Sequence, residues 1–122
     1  MYKKEILKIL GDFESHYDRM DIHANVMHDK KRENYACEMW CVTRRLDKKI
    51  QKIFNENTRK RAISLKEIKD IFGDWRQDWG EKLEKTVASG DMRADWFRAK
   101  LEALDVLEGR LETVFKKKAK KT

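Results

Sequence analysis

Proline is absent from this chain of 122 residues, and glycine and cysteine are scarce, at five and two. No apolar run exceeds the four residues from Met39 to Val42, so no segment is expected to span a membrane and no membrane partner is expected. The opening Met1-Tyr-Lys-Lys-Glu-Ile-Leu7 lacks the unbroken hydrophobic stretch of a secretory signal. Without one, Cys37 and Cys41 read as free thiols in a reducing compartment, and the expected location is cytoplasmic. The chain also lacks a nucleophile elbow, a glycine-rich phosphate loop and any histidine–carboxylate spacing tied to a nucleophile. An enzyme is therefore not expected. Metals and cofactors fare no better. Cys37 and Cys41 lie one helical turn apart, with His16, His23 and His28 as further soft ligands, but neither Cys-x-x-Cys nor His-x-x-x-His occurs.

What the chain does hold is charge and periodicity. Charged residues make up 42% of it, yet 40% is apolar and recurs at helical spacing, which argues for a packed core and against disorder. The length suits one core. The stretch Lys66-Glu-Ile-Lys-Asp-Ile-Phe-Gly-Asp-Trp-Arg-Gln-Asp-Trp79 echoes Lys4-Glu-Ile-Leu-Lys-Ile-Leu-Gly-Asp-Phe-Glu-Ser-His-Tyr17 at an offset of 62. A second pair, Leu46 to Phe54 and Leu107 to Phe115, matches at an offset of 61. Both offsets are half the chain, the mark of a duplicated helical hairpin.

The first helix is expected from Tyr2 to Met27, with Tyr2, Ile6, Ile9, Leu10, Phe13, Tyr17, Met20, Ala24 and Met27 on one face. A polar run from His28 to Asn34 follows, and the stripe resumes in a shifted register as Tyr35, Met39, Val42, Leu46, Ile50 and Ile53. Asp29 aligns with Asp91, which follows Gly90, so a tight turn is expected at His28-Asp29. After a connection at residues 55–61, Ser64-Leu-Lys-Glu67 is a capping box, flanked by Ile63 and Ile68 as a hydrophobic staple. The third helix carries Leu65, Ile68, Phe72, Trp75, Trp79, Leu83 and Val87. The fourth carries Phe97, Leu101, Leu104, Leu107, Leu111, Val114 and Phe115. Four helices of roughly 25 residues, each about 38 Å long, imply an all-α, antiparallel up-down four-helix bundle built from two duplicated hairpins with pseudo-two-fold symmetry. The expected organisation is a single bundle over residues 1–117, with hairpins at 2–56 and 64–117 and a basic tail at 118–122. It would be a monomer or a homodimer.

The net charge of +7 is unevenly spread. The tail lysines and the clusters Lys30-Lys31-Arg32 and Arg59-Lys60-Arg61 more than account for it, leaving a slightly acidic body. In an up-down bundle, one pole would collect Lys3, Lys4, Arg59, Lys60, Arg61, Lys116, Lys117 and Lys118. The second helix would run towards it carrying Arg44, Arg45, Lys48, Lys49 and Lys52. Such a pole attracts phosphate backbones without reading sequence, in nucleic acid or a nucleoprotein complex. No groove-reading motif accompanies it.

A second candidate surface is a partner-protein patch. Trp40 and Trp96 fall at the margins of their stripes, where an indole is half buried and half wet, and Cys37 and Cys41 lie opposite the stripe. Trp75 and Trp79 are expected in the core. Gly11 and Gly73 occupy equivalent places, with Gly80 beyond, so either a close approach by a backbone or a partner, or a helix restart at Gly-Asp, is expected there.

Overall fold

Four helices fill almost the whole chain: α1 (Lys3–Val26), α2 (Lys30–Glu56), α3 (Leu65–Ser89) and α4 (Ala94–Lys120). The computed structural model describes residues 1–120, and among them the fold is all-α. Helix α1 packs on α2 and α3 on α4, forming two antiparallel hairpins. The chain passes from hairpin one to hairpin two at Ile63–Ser64.

Hairpin one closes on Ile6, Leu10, Tyr17 and Ala24 of α1 and on Ala36, Met39, Val42, Leu46, Ile50 and Phe54 of α2, all buried. Burying each large aliphatic side chain contributes about 1.5–3 kcal/mol. The stripe ends differ from expectation. Tyr2 and Met27 are each 64% exposed and Tyr35 is 43% exposed, while Ala36 and Phe54 turn inward. A 27-residue helix with 3.6 residues per turn drifts off a fixed heptad, so the buried row wanders by one position at each end. The tight turn falls at His28-Asp29 as expected, with α2 beginning at Lys30. His28 takes the left-handed conformation at φ 56°, and the Asp29 carboxylate accepts from the Arg32 amide at 3.1 Å.

In hairpin two the capping box forms as expected. The Glu67 amide donates to Ser64 Oγ at 3.1 Å, and the Ser64 amide donates to Glu67 Oε1 at 3.2 Å. Gly90 ends α3 at φ 70°, and the Asp91 carboxylate accepts from the Arg93 amide at 2.9 Å. Ile68, Phe72, Trp79, Phe97, Leu104, Leu107 and Leu111 form the core. Trp75 is only half buried and stacks on Trp79, with centroids 5.8 Å apart. Val87 is 52% exposed, and Thr86 takes the inward place, its hydroxyl donating to the Leu83 carbonyl at 2.8 Å. Arg76 bridges to Asp105 at 2.9 Å and Glu108 at 2.8 Å, and Lys69 to Glu112 at 2.8 Å. These pairs link α3 to α4. Those of the partly buried Arg76 contribute roughly 0.2–1 kcal/mol each.

Helices α1 and α3 run unbroken through Gly11 and Gly73, so there is no restart. Nor, among the described residues, does another backbone approach closely, since a Cβ at Gly11, Gly73 or Gly80 would meet no neighbouring atom within 4 Å. Helix α4 continues through Lys118 to Lys120, and the remaining tail residues, Lys121 and Thr122, lie outside the described residues.

Candidate nucleic-acid interface

The open end of hairpin one is closed by backbone pairing. The Lys3 amide donates to the Arg61 carbonyl at 3.2 Å, and the Ile63 amide donates to the Met1 carbonyl at 2.8 Å. Tyr2 and Ala62 thereby form an isolated antiparallel bridge. Successive residues along each bridged segment alternate in facing. Ile63 enters the core at 1% exposed, while Tyr2 stands in solvent. The pairing places Lys3, at the start of α1 and followed by Lys4, beside Arg61, which Arg59 and Lys60 precede on the connection. Lys3, Lys4, Arg59 and Arg61 are exposed. Lys3 Nζ sits 5.9 Å from the centre of the buried Phe54 ring, which holds its stem against the last turn of α2.

Helix α2 brings further cations to this end. Lys48, Lys49 and Lys52 are exposed on its last turns, with Lys52 lying 3.8 Å from Glu56. Arg44 and Arg45 are more distant, about 18 Å up the helix from Glu56 for Arg44 at 1.5 Å per residue. Arg44 is also engaged elsewhere, 3.6 Å from Glu14. It does not join the cluster. Lys116, Lys117 and Lys118 are exposed on α4 of hairpin two, at the end where α3 begins.

The partner-binding candidates separate in the same way. Cys37 and Trp40 line a depression of about 260 Å³ together with Asp18 and Asp21 of α1. The buried row of α2, not its cysteine side, faces α1, as expected. Trp40, about 100° from Met39 on the helical wheel, is the flank residue that borders this depression, with Cys37 one turn before it. Cys37 is exposed, Cys41 is half buried, and neither is in a disulfide. Trp96 belongs to hairpin two, where it is 51% exposed and lines a depression of about 470 Å³ with Met92, Arg93 and Phe97. Lys100 Nζ lies 4.3 Å from the Trp96 ring centre and 5.6 Å from that of Trp79, so the indole is braced from beneath by a cation.

No protein-family model, curated protein or solved structure matches this chain. Function must therefore be argued from the chemistry of these surfaces. Among the described residues, no group of three His, Cys, Asp or Glu side chains is placed to hold a metal ion, and no helix is long and apolar enough to cross a membrane.

One buried acid lies above the basic end. Glu14 is 9% exposed, and its carboxyl is pushed up to about 7, first by burial, then by the hydrogen bond and negative charge of Asp47, against the pull of Arg44. Asp47 is itself buried and accepts from Gln51 Nε2 at 2.9 Å. The pair ties α1 to α2.

Sequence reasoning missed Tyr2, which it counted as core, and also Asp18 and Asp21. Tyr2 has the composition of a stripe residue, but it lies ahead of the first turn of α1, in the bridge to Ala62, and is exposed.

Proposed function

We propose that this is a small non-enzymatic helical protein whose basic end on hairpin one binds the phosphate backbone of nucleic acid, free or in a nucleoprotein complex. One observation carries the reading: the bridge between Met1–Lys3 and Arg61–Ile63, which joins two basic segments from opposite ends of the hairpin. Separate cations on mobile chain ends would each lose freedom on binding, whereas cations already clasped side by side lose less. The acids on these segments, Glu5 and Glu56, are outnumbered by Lys3, Lys4, Lys52, Arg59, Lys60 and Arg61. Lys116, Lys117 and Lys118 supply a further basic segment on hairpin two.

The test is fluorescence anisotropy with labelled oligonucleotides across a salt series. Neutralising about four phosphates predicts roughly a hundredfold loss of affinity between about 50 and 200 mM salt. Lys4→Gln, Arg59→Gln and Arg61→Gln together should weaken binding and flatten the salt slope by about one per lost contact. Salt-independent binding, or none at low salt, overturns the reading.

A second reading, a protein–protein adaptor or inhibitor, is favoured by the depression lined by Asp18, Asp21, Cys37 and Trp40. Trp40→Asp should then release a partner captured from lysate after nuclease treatment, with the helical signal unchanged. An unchanged partner set removes that patch.

A further inference from the structure

We infer that the basic end of hairpin one accepts single-stranded nucleic acid, with the Tyr2 ring as the stacking platform for one unpaired base; this rests on the phosphate-binding reading above and specifies its ligand. Tyr2 is 64% exposed although its ring is largely apolar. Its backbone is not loose. Tyr2 caps α1 in an extended conformation at φ −70° and ψ 154°, with the amide and carbonyl of its two chain neighbours paired to Arg61 and Ile63. The residue across the bridge is Ala62, and side chains opposed across such a bridge lie on one face. A methyl group is too small to cover a phenol ring, so the ring stands open on a clamped backbone.

Its surroundings decide what it receives. Lys3 and Lys4 follow it directly, and Lys60 and Arg61 lie on the paired segment, so a phosphate chain drawn to these cations passes the ring. Every base has a π-face, and stacking on an aromatic side chain needs no particular sequence. In a duplex those faces are already occupied by neighbouring base pairs, whereas a single strand presents them. The other exposed aromatic side chains of hairpin one are placed differently. Trp40 sits beside Asp18 and Asp21, whose carboxylates repel phosphate, and Tyr35 packs edge-on against Tyr17. Tyr2 is the aromatic residue that accompanies the cations.

The experiment uses the full chain and two probes of equal length, a labelled oligothymidylate and a labelled duplex, with oligouridylate as a further single-stranded arm. Tyr2→Ala is expected to weaken both single-stranded complexes about tenfold or more, as loss of one stacked base does, while leaving duplex affinity and the salt slope unchanged. Tyr2→Phe, which keeps the ring, is expected to bind as the parent does. Retained duplex binding by Tyr2→Ala doubles as the control for folding. Equal loss on single strand and duplex, or no loss on the single strand, overturns the stacking inference and leaves phosphate binding standing. If the parent chain binds neither probe at low salt, the phosphate reading falls and the stacking inference with it.

Discussion

The Lys3 amide reaches the Arg61 carbonyl at 3.2 Å, so the first residue of α1 is tied to the segment that follows α2. This clasp can be cut with one substitution. Proline is tolerated at the first helical position, and Tyr2 already has the extended conformation that a following proline requires. Lys3→Pro should therefore leave α1 intact but delete the amide, lowering stability by about 1 kcal/mol. Lys3→Gln serves as the control for lost charge and lost packing on Phe54. Urea unfolding and amide exchange at Ile63 report the difference; equal stability of the two variants would show that the clasp contributes nothing.

Glu14 gives the fold a pH dependence of definite sign. Its carboxyl titrates at about 7 in the folded chain and near its ordinary 4.5 in the unfolded one. The folded state thus holds the proton more tightly. The associated stability is full below about pH 4.5 and is lost as pH rises through about 7. Allowing for solvent screening, the loss is about 1–2 kcal/mol. Glu14→Gln should flatten this part of the profile and raise stability at pH 8. Urea midpoints at pH 5 and pH 8 measure it, and a variant that tracks the parent at both values excludes Glu14 as the source.

Gly11 and Gly73 should be replaceable at a gain. Both lie inside continuous helices with open space where a Cβ would go. Glycine in a helix interior costs about 0.5–1 kcal/mol against alanine. Gly11→Ala and Gly73→Ala should each raise stability by that amount, additively, since they lie on different hairpins. Thermal unfolding followed by circular dichroism decides it, and a drop in either variant would point to a contact at that site.

His28 is the converse case. It holds φ 56° without glycine's freedom, in the turn between α1 and α2. His28→Gly should stabilise the chain by about 0.5–1 kcal/mol, the relief of left-handed strain exceeding the added entropy of the unfolded state. Gly90→Ala at the equivalent turn of hairpin two, where φ is 70°, should lose a similar amount. Denaturation midpoints of the two variants should move in opposite directions.

Much of this was legible from residues alone, because it is written in local spacing. Ser64 and Glu67 are three apart, so the capping box needs only one turn of helix to form. Gly90 and Asp91 mark a stop and a restart wherever the rest of the chain lies. The duplication carried the turn from Gly90 to His28, where histidine by itself gives no such signal. Positions buried near the middle of each helix, such as Leu10, Leu46 and Leu107, follow from three- and four-residue recurrence. Towards the helix ends this fails: Tyr2, Met27, Tyr35 and Val87 have the same composition as buried residues but lie where the neighbouring helix no longer covers them.

The sequence by itself thus determined the helices, their caps, the turns and the two-hairpin plan, since each depends on contacts within a turn or two. Only the tertiary structure decided which charged and aromatic residues share a surface. It clasped Lys3 to Arg61 through the backbone where the bundle plan foresaw only a shared pole, engaged Arg44 with Glu14, brought Trp40 to the edge of α1, and turned Tyr2 outward. Those outcomes depend on where two helices of 24 and 27 residues end relative to one another after the reversal at His28. A one-residue change in either length rotates an end residue by about 100° and would present a different set of side chains there.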